Sequence, residues 1–157
     1  MKGIVLNEGG KVTYPYEVFK YIEKYVKSLN WRITNAECGG GDYVFPFEEK
    51  WDNFIDGETL YELIKQHSDI QWWWGSLSGF PKSIPMEEIQ KNPVVDLQME
   101  QPYLKDKLRH LEPLAVFELI AFDSTETYVL ADSPEIAGLL YKSFPNAESL
   151  EKYVYTK

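Results

Sequence analysis

The sequence predicts an α+β domain, a mostly antiparallel sheet with helices packed against it, and three features of one stretch, 114–144, carry that prediction. Leu114 to Phe122 is apolar except for Glu118, the pattern of a strand covered on both faces. Asp123-Ser124-Thr125-Glu126 supplies turn chemistry, and Thr127 to Ala131 is β-branched and aromatic enough to return antiparallel beside the first strand. A helix then begins sharply: Ser133 can cap the free amides, Pro134 suits the first helical position, Glu135 complements the positive helix end, and Ile136, Leu139 and Leu140 form an apolar stripe. At 157 residues the chain is long enough for one domain with a proper core and too short for two of ordinary size, so 1–157 is read as a single α+β domain.

The remaining elements follow in order. Gly3 to Leu6 reads as a first strand, ended by Gly9-Gly10. Pro15 fits the first turn of a helix with Glu17 near its positive end, and Val18, Ile22, Tyr25, Val26 and Leu29 recur on one face, which predicts a first covering helix. Trp31 to Thr34 resembles a strand, and the glycines in Cys38-Gly39-Gly40-Gly41-Asp42 leave the backbone free enough for a turn or mobile loop. Tyr43 to Trp51, broken at Pro46, predicts a short strand and then irregular or briefly helical structure. Asp56 looks like the N-cap of a second covering helix with Leu60, Leu63, Ile64 and His67 on a common face, ending near Gln66. Asp69 to Pro81 reads as a strand followed by a Gly-Ser turn region. In an extended chain Trp72 and Trp74 share one face and Trp73 takes the other. Pro85 to Gln90 predicts one or two helical turns, and Pro93 to Leu111 a loop, weakly helical from Tyr103. Pro145 then breaks the chain, Asn146 can cap a last short helix, and Leu150, Tyr153 and Val154 can pack it down.

Composition narrows the function classes. The net charge of −9 and pI near 4.7 repel nucleic-acid phosphates and anionic lipids, and draw in basic partners. The lone Cys38 excludes an intrachain disulfide and a cysteine-based zinc cluster, and fits a reducing compartment. The opening apolar stretch is too short for a signal peptide or a membrane span, so the expected address is cytoplasmic.

Few residues invite chemistry. Cys38, beside three glycines, would make an approachable thiol if a histidine stood by it, but His67 and His110 sit in no recognisable signature. The simpler reading sets His67 against the carbonyls at a helix end and leaves His110 a solvated side chain. No His-x-His or His-x-x-x-His spacing supports a metal site. Gly39-Gly40-Gly41 is followed by Asp42, not by the Lys and Ser or Thr of a phosphate loop. Glu118 interrupts an apolar strand; buried, it would act as a general acid or base, while its plainer reading is an edge-facing or ion-paired carboxylate. Trp72, Trp73 and Trp74, with Trp51, Tyr43 and Phe80, can form an aromatic platform or fill a core. The acidic run from Asp42 to Glu62 is a solvated face on the plain reading. Next to the tryptophans it has the composition that grips a basic protein.

Trp74-Gly75-Ser76-Leu77-Ser78-Gly79-Phe80-Pro81-Lys82 and the segment from Phe117 to Tyr153, with Ala121-Phe122-Asp123-Ser124 and Phe144-Pro145-Asn146-Ala147-Glu148-Ser149-Leu150-Glu151, resemble stretches of small acidic bacterial proteins, mostly uncharacterised, some of them immunity proteins of contact-dependent or polymorphic toxin systems. The resemblance covers about half the chain and includes no catalytic motif. It implies a compact α+β domain whose task is binding, and carries over no catalytic residues. The expectation is therefore a non-enzymatic protein-binding domain, in its sharpest form an immunity protein covering a basic toxin through Asp42, Glu48, Glu49, Trp51, Asp52, Trp72 and Trp74, with no cofactor, metal, nucleic acid or membrane involved. The alternatives are a small-ligand or carbohydrate-binding module using Trp72 to Trp74, and an enzyme using Cys38 or Glu118.

Overall fold

The computed structural model describes residues 1–7, 13–39, 45–100 and 108–152. Their framework is a seven-stranded, wholly antiparallel sheet. The strands are β1 (Lys2–Leu6), β2 (Leu29–Gly39), β3 (Asp52–Asp56), β4 (Gln71–Pro81), β5 (Phe117–Phe122), β6 (Glu126–Ala131) and β7 (Glu148–Ser149), in the spatial order β3-β2-β4-β5-β6-β1-β7. The hairpin expected from 114–131 forms its centre: β5 is the middle strand and pairs with β6 from Phe117↔Ala131 to Phe122↔Glu126. The turn between them holds Asp123 and Ser124 at φ of 48° and 62°. Aspartate tolerates that left-handed region through its short polar side chain.

The two faces of the sheet are covered by different means. On one lie the helices α1 (Pro15–Phe19), α2 (Glu23–Lys27), α3 (Gly57–Gln66) and α6 (Pro134–Ser143), whose Val18, Phe19, Val26, Leu60, Ile64, Ile136 and Leu140 meet Ile4, Trp31, Ile33, Leu77, Phe117, Leu119 and Val129 of the strands. Burying each such side chain contributes about 1.5–3 kcal/mol, so this layer is the main source of stability. The indole N–H of Trp31, deep within it, donates to the Val26 carbonyl at 2.9 Å and leaves no polar cost. On the other face the described parts of the long connection from β4 to β5 lie across the strands, with α4 (Met86–Gln90), α5 (Leu97–Glu100) and the stretch 108–116 supplying Ile89, Leu97 and Ala115.

Several expectations are corrected. The helix read from Pro15 to Leu29 is two helices, with Ile22 at the break in a non-helical conformation (φ −133°, ψ 34°) and β2 already begun at Leu29. Tyr21 and Ile22 close the intervening turn on Val18 and Phe19, three residues back, and this short-range bonding keeps the apolar spacing while bending the axis. Cys38 and Gly39 belong to β2, while Gly40 to Asp42 lie outside the described residues. A short 3₁₀ turn, Pro46–Glu48, and then β3 follow. β4 runs unbroken through Gly75-Ser76, where a turn was expected, because both its neighbours continue to pair with it there. The helix expected from Tyr103 to Leu111 is not formed over 108–111, and 101–107 are not described. Leu139, placed on the buried stripe of α6, is exposed, and Ala137 takes that position.

Candidate functional site

The tryptophan run is divided by a pair of β-bulges. Between Thr34↔Ser76 and Glu37↔Trp74 the β2 side has an extra residue, and between Glu37↔Trp74 and Cys38↔Trp72 the β4 side does. The first accommodates Asn35, at φ 60°; the second shifts the alternation so that Trp72 turns to the helix-covered face. Trp72 is only 1% exposed, its ring over Gly75 and against Phe45, so it is removed from the expected partner-binding set. Trp74 points to the opposite face and packs half-buried on Phe122, ring centres 4.8 Å apart. Trp73, 44% exposed, lies on the backbone of Gly39, where a Cβ would stand only 2.0 Å from its ring. With Trp72 and Trp74 on opposite faces of the sheet, the three rings do not build one continuous platform.

The acidic residues are placed as follows. Asp42 lies outside the described residues. Glu48 is half-buried and accepts the Cys38 amide at 2.7 Å. Asp52 accepts both Nε and Nη2 of Arg32, at 2.8 and 2.9 Å, and so is largely committed inside the fold. Glu49 and Trp51, the latter 50% exposed, face solvent at the entrance to β3. Asp56, at the strand's exit, caps α3 through the Thr59 amide and hydroxyl, which hold its carboxyl below the ordinary value, and Glu58 is exposed in the first turn of that helix. Glu49 and Glu58 have no ion-pair partner among the described residues. Beside β3 runs a groove of about 380 Å³, lined by Phe54, Ile55, Asp56, Ile84, Met86 and Ile89 among others. Glu87 and Glu88 are exposed next to Met86, and Lys91 pairs with Glu88.

No family model, curated protein or solved structure matches the chain. Function is therefore read from the geometry of the molecule itself.

A second set of polar residues, on the face crossed by the β4–β5 connection, went unread in the sequence apart from Glu118. Glu118 on the central strand is fully buried and ion-paired, away from either sheet edge. It accepts from Ser78 Oγ (2.7 Å), the Leu111 and Glu112 amides (2.8 and 3.2 Å) and His110 Nδ1 (2.8 Å). His110, expected to be solvated, is instead clamped: its Nε2 meets Asp132 at 2.8 Å. Burial works against its imidazolium, but the bonds and charges of Glu118 and Asp132 outweigh that and raise its pKa. Arg32, equally buried, reaches Asp52, Glu112 and the carbonyls of Ile89 and Asn92. Asn35 binds Val95 O and the Leu97 amide.

This network fastens the connection to the sheet. Its Ser–Glu–His order invites a catalytic reading, yet Ser78 and Glu118 are sealed from solvent and every oxygen of Glu118 is already bonded. Cys38 is half-buried, and burial with the charges of Glu48 and Glu37 raises its thiol pKa strongly, which disfavours the nucleophilic thiolate. Among the described residues no cluster of His, Cys, Asp or Glu could hold a metal ion, and no helix is long and apolar enough to cross a membrane.

Proposed function

We propose that this chain is a non-enzymatic protein-binding domain that takes a basic partner on the acidic end of its sheet, around β3. The observation that carries the reading is the combination there of a half-exposed tryptophan, Trp51, with Glu49 and Glu58 uncommitted to any ion pair among the described residues and an apolar groove alongside. An aromatic anchor inside a charged rim is the composition of an interaction hot spot, and opposite charge on the partner speeds encounter and sets orientation. The net charge of −9 extends that attraction over the whole surface. An immunity protein covering a cationic toxin is the narrowest form of this reading, supported by the sequence resemblance alone.

The experiment is affinity capture from the source cells at low and high salt, with the native chain and with a Glu49→Lys, Glu58→Lys, Trp51→Ala variant. The expected result is a basic protein recovered at low salt, released as salt rises, and bound at least about tenfold more weakly by the variant. Recovery of no basic partner, or equal binding by the variant, overturns the reading.

A further inference from the structure

The sheet ends on β3, and no strand pairs with its outer edge among the described residues. We propose that this edge is the docking element itself: a basic, extended segment of the partner adds to the sheet beside β3 and sets an apolar side chain into the adjoining groove. The proposal rests on the docking reading above and specifies how it is achieved. An open strand edge presents a row of main-chain donors and acceptors that any extended chain can satisfy, so it must be guarded or used. Three features argue for use by a basic strand. Asp56, exposed at the exit of β3, keeps a charged carboxylate as the cap of α3, and a lysine or arginine set opposite it by an added strand makes an attractive cross-strand pair, whereas Asp52 at the other end is already held by Arg32. The groove beside the strand is walled by Phe54, Ile55, Ile84 and Ile89, with Met86 50% exposed at its rim, which suits an aliphatic side chain from every second residue of an added strand. Glu58 and Glu87, exposed on the elements that flank the groove, supply further negative charge without an internal partner among the described residues.

The test uses a short synthetic peptide alternating lysine and valine, the same peptide N-methylated on alternate residues so that charge is kept but main-chain pairing is blocked, and a glutamate–valine counterpart. Each is titrated into the full chain, with amide exchange and chemical shifts followed at 52–56. The lysine peptide is expected to slow exchange of the outward β3 amides about tenfold, and methylation to weaken binding by about the same factor. A folded Glu58→Lys, Glu87→Lys variant is expected to lose the binding of the lysine peptide to a similar extent. If the methylated peptide binds as well as its parent, strand addition is overturned while salt-dependent docking stands. An equal response to the glutamate peptide overturns the basic partner. Should β3 stay unprotected under saturating lysine peptide, or become protected by self-association without any peptide, the proposal fails.

Discussion

Glu118 shows what a single carboxylate can organise. On the middle strand, fully buried, it takes His110 and the Leu111 amide on one oxygen and Ser78 and the Glu112 amide on the other, so exchanging either oxygen for an amide nitrogen sets a donor against two of those four partners and removes the charge opposite His110. Glu118→Gln is expected to cost about 3 kcal/mol in urea unfolding, the scale of breaking a buried charge pair from one side. Glu112 and His110 tie stability to pH. Burial lifts Glu112 from an ordinary 4.5 to about 7 against the pull of Arg32, whose charge is held in any case by Asp52, and its Oε2 has no hydrogen-bond partner among the described residues. Both shifts are upward, so both groups hold their protons more tightly folded than unfolded. That stability is complete below 4.5 for Glu112 and below 6.5 for His110, and is lost as pH rises through the folded values. Unfolding free energy should therefore fall from about pH 4.5 to pH 7 as Glu112 ionises in the unfolded chain first, and fall further above pH 6.5 through His110, and Glu112→Gln, which cannot ionise, should remove a drop of about 3 kcal/mol from that slope. At this scale the sequence was legible where a residue broke a pattern, as Glu118 did. His110 and Arg32 were opaque because their partners lie 8 to 80 residues away.

Elements with local signals were read well. The caps of α3 and α6, Asp56 and Ser133, do accept the Thr59 and Ile136 amides. β3 was missed because Asp-Asn-Phe-Ile-Asp has polar ends and only two apolar residues, and an edge strand needs no more. The faces of Trp72 and Trp74 were assigned from uninterrupted alternation, which the bulge on β4 breaks; the sequence marks no glycine at that bulge to reveal it. Two glycines test packing at helix level. A Cβ on Gly57 would stand 2.2 Å from Val26 O and 2.5 Å from Leu29 O, rigid backbone where α2 runs into β2, whereas one on Gly138 of α6 meets nothing within 4 Å. Gly57→Ala is expected to destabilise by about 2 kcal/mol or more, and Gly138→Ala to stabilise by about 0.8 kcal/mol, the intrinsic helix preference for alanine, both read as shifts in urea midpoint.

Across the whole molecule, the fold class was legible because a central hairpin and two amphipathic helices leave few architectures open. The strand order was not, since β1 slots between β6 and β7, pairing Lys2 with Ala131 and Val5 with Glu148. Residues 1–7 therefore complete the sheet only once the far end of the chain is in place. Ile4, Val5 and Leu6 are fully buried, so deleting 1–7 is expected to leave a collapsed chain with weakened near-ultraviolet dichroism instead of a trimmed native fold. Pairings this distant in sequence also predict slow refolding, in milliseconds to seconds in stopped-flow experiments. The unequal burial of the indoles has a practical corollary. Trp31 and Trp72 emit from a dry interior, while Trp51 and Trp73 stand open to water, and only Trp51 adjoins the free sheet edge in sequence. The molecule thus carries its own optical gauge: a neutral quencher such as acrylamide dims the red-shifted part of its fluorescence, and whatever settles over β3 shields that light.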